Sequence, residues 1–170
     1  MSWRRGHVRY MLYFGVFIVN LIIFLIWREY SLYLKRELNT CRIFRTMLRD
    51  MRDKMRCYLE SPRVWALGYE DDVLLASGFL YKLRHGCCLN DAYTACKDGM
   101  CISGDVDTVL RDFFTRMGDG YLDTELMAID SAISGLSECE RVMADESAKK
   151  SKVAGAVLGA FAVGMIILVM

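Results

Sequence analysis

Residues 149–170 read KKSKVAGAVLGAFAVGMIILVM. Beyond the lysines, Val153 to Met170 contains no charged residue and no Pro, Asn or Gln. A hydrocarbon core of ~30 Å needs about 20 apolar residues at ~1.5 Å each, so the stretch 153–170 reads as a transmembrane helix on which the chain finishes. Within it, Gly155 and Gly159 form a GxxxG with Gly164 a further turn on. Small residues at that spacing let helix backbones approach closely, although a span this rich in small residues can also contain the pattern by chance.

The other end has a counterpart. Met11 to Trp27 is apolar apart from Asn20, which gives a second anchor over 10–27. Basic residues precede it, as in a signal peptide, but the exit Leu25-Ile26-Trp27-Arg28-Glu29-Tyr30 offers no small-x-small cleavage site, so the segment reads as a retained anchor. An amide in lipid is costly unless bonded, and Asn20 is therefore a candidate for packing against another helix of this chain or of a neighbour, together with Gly155, Gly159 and Gly164.

Working outward, the two anchors bracket a charged domain over 28–152. The net charge of +1 hides segregation. Residues 28–63 hold ten Lys or Arg against five Asp or Glu, whereas 64–148 hold six against sixteen. Basic flanks stay in the cytoplasm. Lys149, Lys150 and Lys152 thus place the middle domain in the cytosol and make the protein a two-helix cell-membrane protein, the flanks of the first anchor being less decisive. Nucleic acid is a poor partner, because the basic stretch is only mildly positive, adjoins an acidic half and carries no reading motif. Seven cysteines, an odd number, fit a reducing compartment, with Cys41, Cys57 and Cys139 at apolar helical positions.

The middle domain reads as all-α. Leu34, Leu38, Cys41, Phe44, Leu48, Met51, Met55 and Tyr58 recur at helical spacing with no Gly or Pro between Gly15 and Pro62. This predicts one helix of some fifty residues continuing the first anchor and ended by Pro62. Met47, Met51 and Met55 suit a core, or an adaptable partner surface. After Gly118-Asp119-Gly120, Leu122, Leu126, Ile129, Ile133, Leu136, Cys139 and Met143 predict a second long helix running into the second anchor. The expected architecture is an antiparallel hairpin of two long helices continuing into N- and C-terminal transmembrane anchors, with short helices as a distal cap. Arg45, Arg49, Arg52 and Arg56 flank one apolar stripe, and Asp123, Asp130, Glu138 and Asp145 flank the other. These rows pair across the hairpin, as in coiled coils, or offer an interaction face, or are simply two solvated faces. For the cap, Glu70-Asp71-Asp72 starts a helix reaching about Arg84, Asn90 caps one through Lys97, and Ser103-Gly104-Asp105 starts one carrying Val106, Leu110, Phe113 and Phe114.

Little here suggests chemistry. His85, Cys87, Cys88, Cys96 and Cys101 form the one metal-like cluster, but their spacings lack the CxxC knuckle that zinc favours, and small buried thiols beside an exposed histidine explain them as well. No nucleophile motif, phosphate loop or dinucleotide fingerprint occurs. The residues point to no catalytic, cofactor or metal site.

The run Phe113-Phe114-Thr115-Arg116-Met117-Gly118, then Leu136-Ser137-Glu138-Cys139-Glu140, then Lys149-Lys150-Ser151-Lys152 and a Leu158-Gly159 anchor resembles the stage III sporulation protein AB family. That family is related to the F-type platform domain of type II secretion systems. Cys88-Leu89-Asn90-Asp91-Ala92-Tyr93 resembles a further family segment, with Tyr93 at its aromatic position. The likeness is clear from about Leu74 onward. Tyr121 and Glu125 stand where the family has an acidic residue and a Gln, and Pro62 alone represents its Pro-Leu-x-Glu-Ala stretch. The resemblance implies a non-enzymatic scaffold of the mother-cell to forespore channel, in the mother-cell membrane, working with other membrane components and a cytosolic secretion-type ATPase. Homo-oligomers fit such a part. Two other readings stand beside it: a platform protein of a general secretion or pilus machine, and a metal- or redox-responsive sensor built on the Cys/His cluster.

Overall fold

The computed structural model describes the backbone of residues 3–58, 61–117 and 121–169, and side-chain surroundings for these except 3–13, 16, 62, 63, 158, 161–163 and 165–169. The protein is all-α. A long helix α1 (Trp3–Tyr58) and a long helix α7 (Leu122–Val169) enclose five shorter ones, α2 (Pro62–Gly68), α3 (Asp72–Ala76), α4 (Phe79–Arg84), α5 (Leu89–Cys96) and α6 (Gly104–Arg116). A 3-10 turn, Lys97–Gly99, follows α5.

Contacts divide the chain into two compact units. One holds residues up to Leu34 with those from Asp145 on, and the other holds Lys35–Ala144. The second has the hydrophobic core. Cys41, Phe44, Met47, Leu48 and Met51 of α1 are fully buried, as are Ile129 and Leu136 of α7. Met47, Met51 and Met55 thus fill the core. Phe44 sits edge-on to both Phe79 of α4 and Tyr93 of α5, each at 6.1 Å between ring centres, and Tyr93 meets Phe114 of α6 at 4.8 Å. Each such pair adds ~0.5–1.5 kcal/mol to the burial of its rings, so this cluster locks α4, α5 and α6 onto α1.

Pro62 opens a helix that the apolar spacing does not announce. Its ring fixes φ for N1, where the missing N–H costs nothing, and Ser61 at N-cap accepts from the Val64 N–H at 3.4 Å. α1 is described as far as Tyr58, and the link between it and Ser61 lies outside the described residues.

The helix expected from Asp71 to Arg84 is two helices. Asp71 caps α3 as its position suggests, accepting from Val73 and Leu74 N–H at 3.0 Å. The chain then turns at Ser77-Gly78, where Gly78 has φ 80°, a left-handed conformation open chiefly to glycine. Gly86 (φ 91°) ends α4 the same way: its N–H reaches Leu83 O and the Cys87 N–H reaches Lys82 O, both at 3.1 Å. The N-cap of α5 is Cys88 rather than the expected Asn90: its thiol accepts from Asp91 N–H at 3.4 Å and the helix runs Leu89–Cys96. Ser103 caps α6 as the sequence indicates. The expected breaker Gly118-Asp119-Gly120 lies outside the described residues.

In the other unit, Phe14, Phe17 and Ile26 of α1 are exposed. Among the described residues, α1 is the one helix with a stretch long and apolar enough to cross a membrane, and that stretch is not buried in the fold. α7 stays helical through Val169. The side chains of most of its last ten residues lie outside the described set, so the second expected anchor is described mainly by its backbone.

Candidate interaction surface

The charged rows meet at two places on the Lys35–Ala144 unit. Glu140 of α7 receives two arginines of α1: Arg42 Nε donates to its Oε1 at 2.7 Å, and Arg45 pairs with the other oxygen. Further along, Arg52 Nη1 donates to Asp130 Oδ1 at 3.1 Å. Cys41, next to Arg42 on α1, donates its thiol to Leu136 O at 3.4 Å. From Arg42 and Arg45 to Arg52 the chain advances along α1 while the ion-pair partner moves back along α7 from Glu140 to Asp130, so the segments run antiparallel here.

The two bridges differ in kind. The Glu140 side chain is 14% exposed and Arg45 22%, whereas Asp130 is 60% exposed. Glu140 has a position the flanking rows did not include, yet a signal for it exists in the sequence. It lies four residues after Leu136 and three before Met143, on the apolar stripe itself. A carboxylate there must find a partner, since an unpaired buried charge is strongly disfavoured.

The remaining candidates spread over the surface. Arg49, Arg56 and Asp123 are exposed and make no ion pair among the described residues. Glu138 turns to Arg141 on its own helix. Asn20 is half-buried in the other unit. Among the described residues, a Cβ built on Gly155, Gly159 or Gly164 would meet nothing within 4 Å. The structure therefore brings together Arg42 and Arg45 with Glu140, and Arg52 with Asp130.

Polar groups tie the short helices together. Trp65 Nε1 of α2 donates to Asp50 Oδ2 of α1 at 2.7 Å. Arg84 donates to Ala66 O at 3.2 Å and Tyr69 O at 2.8 Å, which supplies donors and positive charge at the C-terminus of α2. The buried Tyr93 hydroxyl donates to Asp107 Oδ1 at 2.7 Å. Burial opposes ionisation of Asp107, but that hydroxyl and the nearby Arg111 and Lys97 outweigh it and hold the carboxyl below its usual range. Burial also raises the pKa of Tyr93, with Asp107 adding to the effect.

Cys41 and Cys96 are buried and behave as packing groups. Burial, with Cys139 and Glu140 adding to it, pushes Cys41 from 9.0 up to about 11, and burial raises Cys96 and Cys139 too. A thiol held protonated is a poor nucleophile and a poor metal ligand. Cys57, Cys87 and Cys88 are exposed. His85 is engaged by its own helix, with Nδ1 2.8 Å from Tyr81 O and its ring 4.0 Å from the Tyr81 ring. Among the described residues no group of three His, Cys, Asp or Glu is arranged to hold a metal ion.

Compared with known proteins, the chain matches no family model, no curated sequence and no solved structure.

Proposed function

We propose that the protein is a non-enzymatic membrane scaffold whose helical domain lies in the cytosol and whose two long helices enter the membrane as anchors. One observation carries this reading: α1 and α7 each run without a break between the packed Lys35–Ala144 domain and an apolar segment. A packed domain joined through helix to apolar segments is the arrangement a membrane-anchored scaffold needs. The exposed Arg49, Arg56 and Asp123, free of ion pairs among the described residues, are available to a charged partner.

The finer assignment rests on sequence resemblance to the stage III sporulation protein AB family. In that role the protein would belong to the mother-cell to forespore channel and couple a cytosolic secretion-type ATPase to membrane components. The test is binding of the full chain, in lipid nanodiscs, to the secretion-type ATPase of the same cell. Calorimetry should detect a complex weakened by Arg49→Glu and Arg56→Glu. Absence of binding would remove the coupling role. Expression confined to growing cells would favour a general secretion platform instead.

A further inference from the structure

Within the unit that holds residues up to Leu34 and from Asp145 on, α1 and α7 leave a groove of about 370 Å³ between them. Ile23 and Trp27 form one wall, and Val153, Ala154 and Val157 the other. Its exposed wall is entirely apolar. Lys149 and Lys150 line it too, and so contribute their aliphatic stems, as long basic side chains do at a boundary between apolar and aqueous surroundings.

Charge and aromatic residues mark that boundary. Lys150 Nζ bonds the Tyr30 hydroxyl at 3.1 Å and sits 5.7 Å from the centre of its ring. This brings the end of the first apolar stretch level with the basic start of the second. Trp and Tyr gather at the headgroup level of a bilayer, and basic clusters gather on its cytoplasmic side. Glu146 offsets Lys150 at 2.9 Å, but Lys149 makes no ion pair among the described residues. Arg28 and Lys152 are also exposed close by in sequence, against Glu29. An apolar slot with surplus positive charge at its polar end complements an acyl chain that carries an anionic head.

We propose that this groove binds an anionic glycerophospholipid, one acyl chain lying against Trp27, Ala154 and Val157 and the phosphate held by Lys149 and Lys150. The site rests on the membrane placement of α1 and α7 given above. A lipid bound here would fix the two helices to each other at the cytoplasmic surface and make anchoring depend on lipid composition. Basic pockets between membrane helices on that side select anionic headgroups by the same chemistry.

The test places the full chain in phosphatidylcholine nanodiscs that contain the same minor fraction of either brominated phosphatidylglycerol or brominated phosphatidylcholine. Bromine on the acyl chain quenches nearby indoles, and subtracting the signal of Trp27→Phe isolates Trp27. The brominated anionic lipid should quench Trp27 several-fold more effectively, at about fivefold preference per lysine, from the ~1 kcal/mol a basic side chain contributes near an anionic surface. Lys149→Gln with Lys150→Gln should remove that preference, and Ala154→Phe, which fills the slot, should reduce quenching by either lipid. Equal quenching by the two lipids in the unmodified chain, or a preference that survives loss of both lysines, overturns the proposal. Flotation with vesicles separates the two readings. A chain that fails to float refutes the membrane placement, whereas one that floats without preference refutes only the lipid site. Should Ala154→Phe fail to fold, the unmodified chain and the lysine variant still decide.

Discussion

A Cβ built on Gly135 of α7 would stand 3.1 Å from Cγ1 of Val109 and 3.2 Å from its Cγ2, so α6 lies close on α7 at this glycine. Two effects then oppose each other in Gly135→Ala. The helix interior gains ~1 kcal/mol of propensity, while the crowded valine must shift at a cost of ~1 kcal/mol or more. The single variant should therefore melt near the parent, and Gly135→Leu well below it. In a Val109→Ala background, Gly135→Ala should stabilise by ~1 kcal/mol. Thermal unfolding followed by helical circular dichroism gives all corners of this cycle, and simple additivity would show that the close approach has no energetic weight.

Asp50 should be needed chiefly for Trp65. Asp50→Leu strands the indole N–H of a residue that is 2% exposed, which costs ~1–3 kcal/mol. Trp65→Phe in that background should cost less than in the parent, because no donor is left to orphan. Chemical unfolding of the two single variants and the double variant tests this.

Glu140 and Asp130 should differ although each pairs with arginine from α1. Asp130→Ala removes an exposed bridge and should cost at most ~1 kcal/mol, with the effect fading at ~1 M salt. Glu140→Ala leaves Arg45 half-buried beside an apolar stripe, and a loss of ~1–3 kcal/mol that persists in salt is expected. Equal losses in melting experiments at both salt levels would overturn the distinction.

Cys41 should resist thiol reagents in the native protein. Iodoacetamide should label Cys57, Cys87 and Cys88 first, and Cys41 and Cys96 only after denaturation, as read by peptide mass spectrometry. The folded pKa of Cys41, raised from 9.0 to about 11, also sets an alkaline limit. The unfolded chain loses this proton first as pH rises. The contribution is therefore fully present below about pH 9 and is lost as pH climbs to about 11. Cys41→Ala, though less stable at neutral pH, should show a shallower decline across that window.

Both long helices were legible because their apolar residues recur every three or four positions and no Gly or Pro interrupts α1 after Gly15. The caps at Asp71 and Ser103 were legible as well, since a side-chain acceptor before a helix acts within a few residues of chain. The short helices were harder. Nothing in the apolar spacing of 61–84 reveals that Gly78 adopts φ 80° or that Pro62 starts a helix. In pieces of five to seven residues, capping and tertiary contact outweigh periodicity.

The sequence by itself determined an all-helical chain, the stripes that α1 and α7 bury, and the apolar stretches at either end, because these follow from local spacing and composition. Tertiary structure alone decided which charges meet. Packing of the buried residues of α1 and α7 against each other gives Arg42 and Arg45 to Glu140 and Arg52 to Asp130, while Arg49 and Arg56 stay in solvent. The close approach of Val109 to Gly135 and the reach of Arg84 to the end of α2 have the same origin. Contacts between residues distant in sequence depend on packing, and no local pattern encodes them.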